Sequence, residues 1–149
     1  MPITDSPLRR ARLWPAMAAA CLALAATLAS AEEAFQVQTV DGIVVRLQVA
    51  SSRPHGPADS TESPHRVTVV LRDKATGRPI ADASVAVEVA KTGRAGARWS
   101  LTPGTADGGP AYVGQVPMAG RGTAYRVLVQ FRRPGDTETF EAEFRFAHH

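Results

Sequence analysis

The sequence predicts an all-β protein, an immunoglobulin-like antiparallel sandwich of seven to eight strands preceded by a signal-peptide helix. Three observations carry that expectation. Apolar residues alternate with polar ones at a period of two through successive short segments after residue 31. Clusters of Gly, Pro, Asp and Ser separate those segments. No 3.6-residue period is visible in the same region. Alternation with one wet face belongs to antiparallel strands, and two such sheets bury their apolar faces against each other.

The N-terminal segment is of a different kind. Arg9, Arg10 and Arg12 precede an apolar run from Leu13 to Leu28, and Ala29-Ser30-Ala31 offers a small-x-small cleavage site. The run is Ala-rich, broken by Pro15, and short for a membrane span. The expected organisation is therefore a signal peptide over residues 1–31 and one domain over residues 32–149, exported to a periplasm or its equivalent. The alternative is an anchor in the inner membrane through residues 13–29. The chain has 149 residues and a formal charge of +3, with 17 basic and 14 acidic side chains. Arg9, Arg10, Arg12 and Asp5 lie in the leader, so the remainder holds 14 basic and 13 acidic groups, a net +1. A nearly neutral domain with dispersed Arg residues lacks the electrostatic footprint of a nucleic-acid binder. Cys21, the only cysteine, also lies in the leader. The processed domain would hold no disulfide, cysteine nucleophile or thiolate ligand.

The strands follow in order. Phe35–Val40 and Ile43–Val49 flank Asp41-Gly42, a two-residue hairpin signal because such a turn needs positive φ. Ala50–Pro64 reads as a loop from its Pro and Ser content, and Arg66–Arg72 as the third strand. Asp73–Pro79 is a turn, followed by strands over Ala83–Ala90 and Ala97–Leu101. Thr102–Pro110 reads as a turn cluster and Ala111–Val116 as a strand running into Pro117-Met118-Ala119-Gly120. Thr123–Arg132 and Thr139–Phe146, separated by Pro134-Gly135-Asp136, complete the set.

Two stretches resemble a known family. RVTVVLRDKATGRPIADASVAVEV (Arg66–Val89) and GGPAYVGQVPMAGRGTAYRVLVQF (Gly108–Phe131) together are similar to the YtkA-like domains and their FixH-like relatives, small exported bacterial β-sandwiches. The resemblance covers roughly residues 40–146. Its more specific part is YVGQVPMAG at Tyr112–Gly120. Where relatives carry an aromatic, typically Trp, soon after M-A-G, this chain has Arg121-Gly122-Thr123-Ala124-Tyr125. The resemblance implies an envelope protein linked to copper or other metal handling, and it supplies no catalytic residues.

The residues themselves offer little for catalysis. Asp41, Asp73, Asp82, Asp107 and Asp136 all stand in turns, where a carboxylate bonds its own backbone. There is no G-x-S-x-G elbow, no H-E-x-x-H and no glycine-rich loop before a helix. A non-enzymatic accessory or binding protein is expected. Metal binding, copper above all, is one reading: imidazole and thioether suit copper(I), imidazole and oxygen copper(II). The candidate ligands are His55, His65 and Met118, with His148 and His149 on the tail. His55 and His65 read as loop residues, and Met118 doubles as a core plug. The competing reading is an interaction module for an envelope or membrane protein, using Val40, Val44 and Leu128 on otherwise polar strand faces. A ligand-binding module resembling transthyretin-like or carboxypeptidase regulatory-like domains is a third. Export makes a direct prediction: mass spectrometry of the protein recovered from the envelope gives a chain beginning at Glu32. A recovered chain that retains Met1–Ala31 contradicts the leader reading.

Overall fold

The computed structural model describes residues 35–52, 62–119 and 122–147. The expected signal helix and His55, His148 and His149 lie outside the described residues. Among those described, nine strands form two antiparallel sheets and there is no helix. They are β1 (Gln36–Val40), β2 (Ile43–Ser51), β3 (Ser63–Asp73), β4 (Ser84–Lys91), β5 (Ala97–Ser100), β6 (Thr102–Ala106), β7 (Gly109–Met118), β8 (Ala124–Arg132) and β9 (Phe140–Ala147). One sheet has the order β1-β2-β3-β7-β6 and the other β5-β4-β8-β9.

Period-two alternation builds the core directly. Ile43, Val45, Leu47 and Val49 of β2 point inward with Val67, Val69 and Leu71 of β3 and Tyr112 and Val116 of β7. Val85, Val87 and Val89 of β4, Val127, Val129 and Phe131 of β8, and Ala142 and Phe144 of β9 meet them from the other sheet. Each fully buried Val, Leu, Ile or Phe contributes about 1.5–3 kcal/mol. The packing is close at Gly114, where a Cβ would stand 2.6 Å from Leu101 Cδ2, so only glycine lets that side chain reach the core.

Two features differ from the sequence expectation. Thr102–Pro110 is not a turn cluster: Thr102–Ala106 is a strand, and the turn is confined to Asp107-Gly108. Both residues have positive φ, 51° and 72°, as do Asp41 (48°) and Gly42 (73°) in the β1–β2 hairpin. That pairing of signs is the hairpin geometry that matches strand twist. Pro103 is tolerated because β6 is an edge strand. Gly104 is required because a Cβ there would meet Val113 Cγ2 at 2.8 Å. Second, the loop expected over Ala50–Pro64 is shorter. The β2–β3 register runs to Ser51↔His65, and β3 begins at Ser63. Pro64 stands opposite Pro117 at the end of the β3–β7 ladder, where the missing N–H groups cost least.

The flanks of the sandwich are covered. On one side the chain passes from β5 to β6, and so from one sheet to the other, through buried Leu101. On the other side Gln36 Nε2 donates to the Arg145 carbonyl at 2.9 Å, and Gln38 Nε2 donates to that of Glu143. These amides occupy carbonyls on β9, an edge strand otherwise open to pairing. Val40, Val44 and Leu128, expected on wet faces, are all half-buried, and Val40 packs against the core.

The long turn after β3 is pinned at both ends. Asp73 Oδ1 accepts from the Thr76 N–H at 2.8 Å and from Thr76 Oγ1 at 3.0 Å, which holds its carboxyl below the usual range. Tyr112, 1% exposed, donates its hydroxyl proton to the Ile80 carbonyl at 2.8 Å and accepts the Ala83 N–H at 2.9 Å. One phenol thus satisfies two backbone groups of the segment crossing between sheets. Burial pushes that phenol above its ordinary value of 10.0; the Ala83 N–H opposes the rise and the charge of Asp82 adds to it. The folded chain therefore holds this proton more tightly than the unfolded one. The contribution is complete below pH 10.0 and is lost as pH rises through the folded value. Replacing Tyr112 with Phe is expected to cost about 1–3 kcal/mol in urea denaturation at neutral pH and to flatten the decline in stability above pH 10.0. Parent and variant of equal stability at neutral pH contradict the bridge.

Candidate metal centre at one end of the sandwich

His65 and Met118 are drawn together by strand register. Ser63 stands opposite Met118 and His65 opposite Val116 in the β3–β7 ladder. His65 and Met118 are thus diagonal neighbours on one face of the sheet, a separation of about 7–8 Å between backbone positions that long side chains span. That face is the inner one, since His65 alternates with exposed Arg66 and shares parity with Val67 and Val69. Both side chains are fully buried. The expectation that His65 is a loop residue is thereby corrected: it is a core histidine of β3. Met118 is the last residue of β7 and belongs to the hydrophobic core. His55 lies outside the described residues.

The imidazole is oriented by its own strand. His65 Nδ1 is 2.9 Å from the Ser63 carbonyl oxygen. A carbonyl only accepts, so Nδ1 carries a proton, and whenever the ring is neutral its lone pair is on Nε2. Metal-binding histidines are commonly fixed in this way, with one ring nitrogen donating to a carbonyl. The sulfur of Met118 adds a soft thioether. An imidazole nitrogen and a thioether together suit copper(I) better than they suit a hard cation. Among the described residues no group of three His, Cys, Asp or Glu side chains is placed to hold a metal, so the ligand pattern of a closed zinc site is not found there.

Two contacts tie this end to the second sheet. The Ala119 N–H, just past Met118, donates to the hydroxyl of Tyr125 at the start of β8. Lys91, the last residue of β4, reaches Glu62 at 3.4 Å, just before β3. Ser52 N–H donates to the Pro64 carbonyl at 3.1 Å, which brings the two ends of the β2–β3 connection together. Sequence reasoning missed Ser63 as the orienting carbonyl and Tyr125 as the clamp. The Ser-Pro-His triplet was the available signal: in an extended strand, residues two apart share a face. Asp41 and Asp107 stand in turns as expected, Asp136 closes the turn that begins at Arg133, and Asp73 is instead the last residue of β3, with its carboxylate bonded into the turn that follows.

No family model matches the chain, and no curated protein matches it. Solved structures do. The copper-reconstituted P19 protein from Campylobacter jejuni is similar with a TM-score of 0.59 and 15% identity, over 76% of this chain and 92% of that one. A copper-bound glutamate-to-glutamine variant of FetP from uropathogenic Escherichia coli strain F11 has a TM-score of 0.59 and 12% identity, over 76% of this chain and 93% of that one. A DUF4426 family protein from Pseudomonas aeruginosa PAO1 has a TM-score of 0.52 and 19% identity, over 76% of this chain and 98% of that one. At these identities the likeness establishes a shared β-sandwich fold.

Proposed function

We propose that this chain is an exported accessory protein in metal handling, and that it binds copper through His65 and Met118. The observation that carries the reading is the pairing itself: a buried imidazole whose Nδ1–H is committed to the Ser63 carbonyl, and a buried thioether diagonal to it on the same face. Support comes from the fold neighbours, since P19 and FetP were both solved with copper bound, and one FetP sample was expressed in a periplasm. The kinship with YtkA-like domains suggested by Tyr112–Gly120 belongs to the same reading. His55 is the third donor in this proposal. Copper would be held by neutral donors that favour the reduced ion. The residues of this chain orient the imidazole, keep water from the sulfur and close the end through Tyr125 and Lys91.

Titration of the exported protein with copper(I) against a competing chelator tests this. The expected result is one saturable site, weakened at least tenfold in Met118→Leu and in His65→Gln, and weakened to a lesser degree in His55→Ala. Met118→Leu conserves volume and should cost under about 1.5 kcal/mol of stability, so its loss of affinity reports on sulfur rather than folding. Copper(I) binding no tighter than that of free glycine, or unchanged in both His65 and Met118 variants, overturns the proposal.

A further inference from the structure

We propose that the outer face of the β4-β8-β9 sheet carries a binding site for a small polyanion of the polycarboxylate or phosphate class. The inference rests on a cleft of about 520 Å³ lined in part by Ala90, Lys91, Arg94, Arg126, Glu143 and Arg145, and the observations behind it are not those behind the copper reading. A volume of this size suits a small organic ligand. The floor is low because Ala90, an outward position on β4, carries only a methyl group and is itself buried. The rim is formed by the turn after β4, whose backbone is pinned by Thr92 N–H to the Ala124 carbonyl at 3.2 Å and by Arg94 N–H to the Lys91 carbonyl at 2.9 Å.

The charge arrangement points to an anion. Arg126 of β8 stands directly opposite Arg145 of β9. Two cations facing each other across a strand pair destabilise a sheet unless something negative lies between or over them. Four cations line the cleft against the single carboxylate of Glu143. Two have partners at the margin: Arg126 with Glu88 at 3.6 Å and Lys91 with Glu62 at 3.4 Å. Arg94 and Arg145 make no ion pair among the described residues. Guanidinium forks take carboxylate and phosphate oxygens in pairs.

The test is calorimetric titration of the exported protein with citrate and, separately, with inorganic phosphate, in low salt. Saturable one-to-one binding with a dissociation constant of about 1 mM or tighter to either probe supports the site; citrate alone assigns polycarboxylates, phosphate alone assigns phosphate groups. Arg145→Gln is expected to weaken binding at least tenfold while leaving the thermal midpoint unchanged or raised, because a like-charge contact is removed. Arg132→Gln, on the same face but outside the cleft, is expected to leave affinity unchanged. Failure of both probes to bind, an unchanged affinity in Arg145→Gln, or an equal loss in Arg132→Gln overturns the proposal.

Discussion

Everything in this molecule depends on keeping two strand faces dry against each other. The inward residues of β2, β3 and β7 are covered only by those of β4, β8 and β9, with no helix among the described residues to share the task. This constraint explains features that otherwise look separate. Leu101 crosses between sheets at the one place where Gly114 leaves room for it. Tyr112 satisfies two backbone groups of the segment after β3, which would otherwise carry unpaired polar atoms beside the core. Gln36 and Gln38 cap the carbonyls of β9 where the two sheets meet without a covalent crossover.

The same constraint makes the end of the sandwich chemically distinct. An inner-face position accepts a polar group only if that group is bonded. His65 meets the condition through the Ser63 carbonyl, and in doing so its ring is fixed in one tautomer. Met118 satisfies the apolar requirement of the core while presenting a soft donor. A fold that demands dryness thus brings an imidazole and a thioether together, the pair proposed to take a soft ion, with Tyr125 and Lys91 holding the second sheet against it. The outer face of the β4-β8-β9 sheet is free of that demand, so cations gather there around Ala90.

Local chemistry made most of the fold legible. The hairpin at Asp41-Gly42, the alternation in β2, β8 and β9, and the turn after Asp73 follow from residue types within a few positions of one another. What was not legible depends on neighbours distant in sequence. Thr102–Ala106 looked like a turn because Pro103 and Gly104 break strands in isolation, yet an edge position tolerates the first and the side chain of Val113 requires the second. His65 looked like a loop residue because Pro64 precedes it, and only the registers with β2 and β7 place it in the core. The residues of the candidate centre were named in the sequence, but the proximity of His65 to Met118, and of Arg126 to Arg145, is a property of register that no local pattern encodes.

The central claim is that the inner-face pair of His65 and Met118 takes a soft metal ion. Of the three methionines, Met1 and Met17 lie in the segment expected to be a leader, so a chain cleaved after Ala31 would retain Met118 alone. Labelling the methionine methyl with carbon-13 therefore gives a single resonance that reports on one sulfur. The account predicts that this resonance moves to a new position and saturates at one equivalent of copper(I), with the His65 ring signals moving in step. A methyl resonance that stays in place through one equivalent of bound copper(I) would contradict it.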